Sequence, residues 1–573
     1  MVEPGYFEKL YNALCAIKNL KPGLGGDSSS FNSNQDDSEV IILSIRDQLD
    51  QVYICQGRGS NIYDAVETAA AEYIYHSRQS ESKPQAIRID QVIEKRAAQK
   101  NTDFMDILND RILYKKAVDG LAIGKDPVLM FLPEEITWYK LIEDQKLNLP
   151  NIAQAAKTNN RLPFIDYNTL NLEQSEKVPV YKVRFKSFYI DQYNSVALQE
   201  GTRKIGKVNQ ELLLEAIKLA RDNYFSNIIN NKGKFIYSYL PWLNKKEKRY
   251  NILRHAGTVY AMLEIHELLP HPDLLEKAGR AIDFLINRTA DFILNGKDVA
   301  AVVEKDSIKL GGNALAIIAL AKFTAVTGNQ QHLDLMQKLA KWIVETQDQE
   351  GNFSIHIQDF KTKEVRDFTS HYYPGEAILA LVRLYRLDGN INWLNAAEDC
   401  ALYLIKTRDK DASIESIAHD HWLLYALNEL YRERSNIIFL EHALFIARAI
   451  RQSQVTGDHQ RPVVNGAYLL PQLRLESTPT AIRTEGLSAA YYLALDARNP
   501  EEADLIKKTM AEGIRFQLQT QLRPETTFFY KDQKRSLGAF QKGLGKYDLR
   551  IDYTQHNISS LIAYYKVISR SQE

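Results

Sequence analysis

Cysteine is scarce in this chain: 573 residues carry three, Cys15, Cys55 and Cys400. Three widely spaced thiols build neither a disulfide framework nor a four-cysteine zinc site, and reduced thiols suit a cytoplasmic protein. Net charge is missing too, with 72 basic against 72 acidic residues and no concentrated basic run. That balance argues against a nucleic-acid partner or an anionic membrane surface. No run approaches roughly 18 consecutive apolar residues, so no membrane span is expected. The N-terminus lacks the basic start and long apolar core of a signal peptide. It has instead the pattern of a short amphipathic helix with Tyr6, Leu10, Leu14 and Ile17 on one face. The expected location is cytoplasmic, or exported without a conventional signal peptide.

What is present is an ordinary globular composition, 45% hydrophobic and 25% charged. The length calls for more than one domain unless a large toroid absorbs it. Residues 1–38 divide into the amphipathic helix and a Gly/Ser/Asn/Asp-rich linker from Pro22 to Ser38. Residues 39–205 form an α+β domain. Strands are expected at Val40–Ile45, Gln51–Cys55, Ala86–Val92, Val128–Phe131 and Val178–Phe185. A turn at Gln56–Ser60 leads into an alanine-rich helix.

From about residue 206 to 573 the texture changes to paired helices. Charged amphipathic segments are expected near 209–230, 273–287, 331–346, 391–407, 438–454 and 501–521. Each is followed by a Gly/Ala/Leu-rich one, near 252–268, 312–327, 372–387, 417–431, 484–495 and 553–569. Segments such as GGNALAIIALAKF are apolar around most of their circumference, which marks helices buried on several sides. Six charged helices alternating with six buried ones imply a mainly α fold, an (α/α)6 toroid with the buried set inside. Outer-to-inner connections are long and inner-to-outer turns are short, so the inner helices start at a rim of long loops, where functional groups tend to sit.

Five of the twelve histidines fall at or near those starts: His255, His371, His419, His421 and His556. The segments recur roughly every 45 to 69 residues, and equivalent positions of a repeat lie close in space. The candidate catalytic groups are His371, Tyr372, Glu376, His419, Asp420, Tyr547, Tyr553 and His556, able to move protons near neutral pH. Candidate substrate-binding groups are Arg254, His255, Asn313, His421, Trp422, Arg483, Glu485, Arg550, Asp552 and Gln555. They offer hydroxyl partners, an aromatic face and guanidinium groups for a carboxylate. Ser370, Asp420, Thr484 and Asp552 are equally suited to capping their helices.

No metal or cofactor is required by these residues. Zinc or another divalent ion remains an alternative through His419, His421 and His371, although an H-x-H pair shares no helix face. Glu376, Asp420, Glu485 and Asp552 could pair as glycosidase carboxylates, at separations the sequence does not give. The TGNQQ turn and Gln56–Gly59 lack the lysine and spacing of a phosphate loop. The single Gln347–Phe353 stretch resembles the repeat of terpene cyclases, but no Asp-x-Asp-Asp motif accompanies it. Tyr530–Lys546, with Gly538, Gly543 and Gly545, is a candidate lid.

Two family resemblances add to this. The strand, Gly-Arg-Gly and alanine-rich helix, with Asp119–Gly124 (DGLAIG) and Phe131–Glu135 (FLPEE), resemble the AMMECR-type α+β fold, without its Leu-Arg-Gly-Cys segment and so without an implied activity. The run Tyr547-Asp548-Leu549-Arg550-Ile551-Asp552-Tyr553-Thr554-Gln555-His556 resembles the C-terminal segment of D-glucuronyl C5-epimerases. His371–Glu376 is similar to their tyrosine-bearing helix starts. That resemblance implies Tyr547 and Tyr553 as proton-transfer groups at C5 of a uronate, with Glu376 or His371 assisting and Arg550 or Arg483 holding the carboxylate. The large β-sandwich of those epimerases has no counterpart here.

The expectation is a carbohydrate-active enzyme, an epimerase, lyase or hydrolase, taking a small-molecule or oligosaccharide ligand at the mouth of the toroid. The alternatives are a non-catalytic protein that binds a protein partner, and a metal-dependent enzyme with a histidine-rich site.

Overall fold

The structure, a computed structural model, describes residues 5–17, 39–77, 82–98, 112–124, 129–158, 160–162, 179–457, 461–470 and 474–570. The linker expected at Pro22–Ser38 lies outside the described residues. The chain folds as two compact units, Met1–Lys204 with Arg523–Lys531, and Ile205–Leu522 with Asp532–Glu573.

The first unit carries helices α1 (Tyr6–Ile17), α2 (Ile62–His76), α3 (Pro133–Trp138) and α4 (Leu149–Ala156). Its main strands are β1 (Glu39–Asp47), β2 (Val52–Gly59), β3 (Pro84–Ala97), β4 (Gly120–Ile123), β5 (Leu129–Phe131), β6 (Ile142–Glu143), β7 (Lys146–Leu147), β8 (Arg161–Leu162), β9 (Val180–Asp191), β10 (Ser195–Gln199) and β11 (Thr202–Arg203). The sheet runs β11-β10-β9-β3-β1-β2-β8, with β4 and β5 joined through β9. Gln56–Gly59 belongs to β2 and is not the turn expected from sequence. Gly57 is there because α2 presses on the strand: a Cβ would lie 1.8 Å from the Ala65 carbonyl oxygen.

Arg523–Lys531, expected from sequence to lie within the toroid, packs in this first unit. Arg46 donates to the carbonyls of Phe528 and Tyr530 at 2.8 and 3.1 Å. Arg203 pairs with the fully buried Glu525 at 2.7 Å. Tyr530, the start of the candidate lid, is therefore fixed in a core. Its ring lies 5.7 Å from that of Trp138.

The second unit is an (α/α)6 toroid. Outer helices are α5 (Gln210–Leu219), α7 (Pro272–Ile286), α9 (Leu333–Glu345), α11 (Ile391–Tyr403), α13 (Ile437–Gln452) and α15 (Pro500–Gln519). Inner helices are α6 (Ile252–Leu268), α8 (Leu310–Thr327), α10 (Tyr373–Asp388), α12 (His421–Arg434), α14 (Ser477–Asp496) and α16 (Ile551–Arg570). Each inner helix packs on the next, and α16 returns to α6, so the inner ring closes. The central burial of α8 explains its composition: thirteen of its residues are buried, from Leu310 to Thr324. By length and composition α8 is the one helix among the described residues apolar enough to cross a membrane, a property not credited from sequence. In the ring 72% of it is buried against protein.

The largest departure from the expected helices is α14, which begins at Ser477, seven residues before Thr484. Pro479 does not break it, because backbone N–H groups in a first helical turn have no intrahelical acceptor to lose. Arg483 and Glu485 consequently sit in the second and third turns. Thr484 is no cap, since its hydroxyl donates to the Thr480 carbonyl at 2.9 Å.

Candidate active site

The inner helices α12, α14 and α16 bring three ionisable side chains together. His421, Glu485 and His556 offer one nitrogen or oxygen atom each, all within 4.8 Å of one another. His421 opens α12 because Asp420 caps that helix, accepting from the amides of Trp422 and Leu423 at 3.0 and 3.1 Å. The approach of α14 depends on Gly486, where a Cβ would sit 3.0 Å from the Cα of His421.

The three are held unequally. His556 Nδ1 lies 3.0 Å from Glu485 Oε1 and 3.2 Å from the side-chain nitrogen of Gln555. His421 is 2% exposed, and neither ring nitrogen has a hydrogen-bond partner among the described residues. Its ring stands 5.4 Å from that of His556 at 78°, with Trp422 4.8 Å away and Tyr372 5.7 Å away. Burial first, then the neighbouring His556 and Arg483, hold His421 well below the usual imidazole range, so it is neutral. Burial pushes the Glu485 carboxyl up to about 7 despite His556 beside it.

Around this triad lie two further groups. Burial, then the nearby Asp420, pushes Glu376 well above the usual carboxylate range. Asp420 is itself raised to about 7 by burial, against the pull of Arg408 and its two amides. One oxygen of each, Oε2 of Glu376 and Oδ2 of Asp420, is buried without a partner among the described residues. Arg483 donates to His419 Nδ1 at 2.9 Å and to the Pro479 carbonyl at 3.0 Å. It forms no ion pair with a carboxylate among the described residues, and burial, then Arg483, brings His419 down to about 4.

On α16, Asp552 joins Arg550 at 2.5 and 2.8 Å and Arg254 at 3.1 Å. Arg254 also donates to the Tyr237 hydroxyl. The Arg550 guanidinium lies 4.4 Å from the Tyr553 ring centre, and the Tyr553 hydroxyl donates to Asp548 at 3.4 Å. Burial raises Tyr553 beyond the range in which a phenol ionises near neutral pH.

Several candidates from sequence lie elsewhere. His255 is fully buried toward the outer layer, accepting from the Tyr250 hydroxyl at Nδ1 and donating from Nε2 to the Ala281 carbonyl, both at 2.8 Å. A carbonyl only accepts, so Nε2 carries the proton. Asn313 is also buried, its Oδ1 accepting from the Val302 amide at 2.8 Å. His371 is exposed and sits beside His356. Tyr547 is partly buried. The metal set His419, His421 and His371 is therefore corrected: His419 is engaged by Arg483, His371 faces solvent, and the residues that converge on His421 are Glu485 and His556.

Below the triad the ring stays polar. Tyr425 follows His421 by one turn, and Ser559 donates to Glu264 at 2.6 Å. Arg383 lies over the Tyr260 ring at 5.2 Å and pairs with Glu429 at 2.8 Å. Sequence inspection of helix starts missed this column. Its signal was present as polar residues at helical spacing in apolar segments: His421 and Tyr425, Glu485 and Ser488, His556 and Ser559.

No family model and no curated protein matches the chain. Among solved structures, the cellobiose 2-epimerase from Bacillus thermoamylovorans B4167 is similar with a TM-score of 0.47 at 14% identity, over 63% of this chain and 100% of its own. A D-mannose isomerase is similar at 0.46 and 12%, over 63% and 98%. An unsaturated glucuronyl hydrolase specific for heparin is similar at 0.44 and 13%, over 63% and 99%. All three TM-scores lie under 0.5.

Proposed function

We propose that the toroid is a sugar-converting enzyme of the epimerase or isomerase class, moving a proton at a carbon next to a carbonyl. The observation that carries this is His421: a buried, neutral imidazole with unpartnered ring nitrogens, set edge-on to a second imidazole that a carboxylate holds. Such a ring is a general base with its lone pair available. In the proposed step a His421 nitrogen takes the proton from the carbon, and the C–H electron pair moves to the carbonyl oxygen as an enediolate. His556, positioned by Glu485, returns a proton. Delivery to the opposite face of the same carbon gives an epimer; delivery to the neighbouring carbon, with the enediol hydroxyl proton passing to the enediolate oxygen, gives an isomer. Arg483, free of a carboxylate partner, is placed to stabilise the enediolate oxygen or an anionic group of the sugar. Trp422 and Tyr372 supply aromatic faces.

This assignment differs from the Tyr547/Tyr553 pair implied by the C5-epimerase resemblance, because Tyr553 is a buried, neutral phenol committed to Asp548 and Arg550. The hydrolase alternative is less well served. It requires one ionised carboxylate opposite one protonated acid, whereas Glu376, Asp420 and Glu485 are all raised and Asp552 is committed to two arginines.

The test is incubation with a panel of aldoses, ketoses and uronates in deuterium oxide, followed by proton NMR. The expected result is deuterium entering one carbon of one sugar class, at least 100-fold slower in His421→Ala. Cleavage without exchange would replace this proposal with the hydrolase. Neither exchange nor cleavage, with a normal melting temperature, would favour a non-catalytic binding role.

A further inference from the structure

The same triad has the composition of a metal centre. We propose that His421, Glu485 and His556 bind one transition-metal ion, zinc(II) being the best fit, and that the ion and the proton-transfer chemistry exclude each other. Two imidazoles and one carboxylate are a recurrent zinc donor set that leaves a fourth position open. The hard ions magnesium and calcium prefer oxygen cages. The three donor atoms already lie within 4.8 Å of one another. Tetrahedral donors around zinc sit about 3.4 Å apart, so closing on the ion takes side-chain shifts of about one ångström.

The independent observation is His421 itself. It is 2% exposed, and both its nitrogens lack a partner among the described residues. An unsatisfied buried polar atom is costly, and binding an ion or a reacting substrate removes that cost. The surroundings hold the rings in place: Trp422 packs 4.8 Å from His421, and the Gln555 amide group stands 3.2 Å from His556 Nδ1.

Exclusion follows from the lone pairs. A His421 nitrogen that donates its pair to a metal has none for a substrate proton, and His556 is likewise occupied. Zinc is therefore expected to be an inhibitor that a chelator reverses, and the proton-transfer activity to be metal-independent. The exclusion clause rests on the proposed function; the binding clause does not.

The experiment is calorimetric titration of the full-length, EDTA-treated and desalted chain with zinc chloride, in the absence of any sugar. The expected result is one ion per chain with a Kd below about 1 µM. Affinity should fall at least 100-fold in His421→Ala and at least 10-fold in Glu485→Gln, and stay unchanged in His371→Ala and His419→Ala. Should His421→Ala fail to fold by circular dichroism, the isosteric Glu485→Gln decides. Wild-type binding weaker than about 1 mM, or undiminished in the triad variants, overturns the site. Where deuterium exchange is measurable, zinc should abolish it and EDTA restore it; faster exchange with zinc overturns the exclusion. Zinc binding without any sugar exchange would leave the metal site standing and the proposed function overturned.

Discussion

His556 and Glu485, 71 residues apart in sequence, meet through Nδ1 and Oε1 at 3.0 Å, and on its other side the same imidazole stands edge-on to His421. Glu485 thereby holds the orientation of one ring of the pair. Glu485→Gln keeps the shape and removes the charge. The expected effect is a 100-fold or greater loss of kcat with KM changed less than about threefold, because an orienting group acts on the chemical step. Steady-state kinetics with the substrate found by exchange separates the two constants. A loss confined to KM would return Glu485 to a binding role.

Tyr372 and His371 are neighbours with different expected roles. Tyr372 is 40% exposed, yet its ring lies 5.7 Å from that of His421, as a wall of a sugar site does. Tyr372→Ala should raise KM roughly tenfold and leave the melting temperature within about 2 °C, as for other exposed positions. His371→Ala should leave both constants near wild type, since its side chain faces solvent. Equal kinetic damage from both changes would contradict this placement.

His255 contributes to acid sensitivity and not to catalysis. Burial, outweighing its bond to the Ala281 carbonyl, lowers its pKa to about 4. An unfolded histidine titrates near 6.5, so between these values the unfolded chain binds the extra proton. Stability from this ring is complete above about pH 6.5 and is lost as pH falls toward 4, by about 3 kcal/mol in total. Urea unfolding at pH 7 and pH 4.5 should show that loss. In His255→Phe the pH-dependent part from this site should vanish, whatever the variant's stability at pH 7.

Glu525 probes the discontinuous first unit. It is fully buried and pairs with Arg203, which is itself partly exposed. Glu525→Ala should destabilise that unit by about 2 kcal/mol, less than a wholly buried pair because water still reaches the arginine. Hydrogen exchange should rise in β10, β11 and 523–531 while the inner helices of the toroid stay protected. Uniform loss of protection would mean that the segment serves the second unit instead.

The alternation of apolar and charged helices was legible because helix burial is a local, periodic property. Inner helices such as α8 announce themselves by apolar residues on every face, and their order around the ring follows chain order. The true start of α14, at Ser477, was less legible, since STPT carries no apolar periodicity, although a proline in a first turn costs no hydrogen bond. The placement of Arg523–Lys531 was not legible, since nothing local in RPETTFFYK distinguishes a loop of one unit from a core segment of the other.

The sequence by itself determined that six inner helices alternate with six outer ones and carry chemistry-bearing residues in their N-terminal halves. Which of those residues meet was decided only by tertiary structure. Successive residues on a helix point about 100° apart, so one position separates Arg254, joined to Asp552, from His255, turned toward the outer layer between Tyr250 and Ala281. The rotation of each helix about its axis is set by packing against both neighbours, with contacts such as Gly486 against His421. Periodicity names the helices, and the phase of each helix, fixed by its partners, selects His421, Glu485 and His556 from the eighteen candidates.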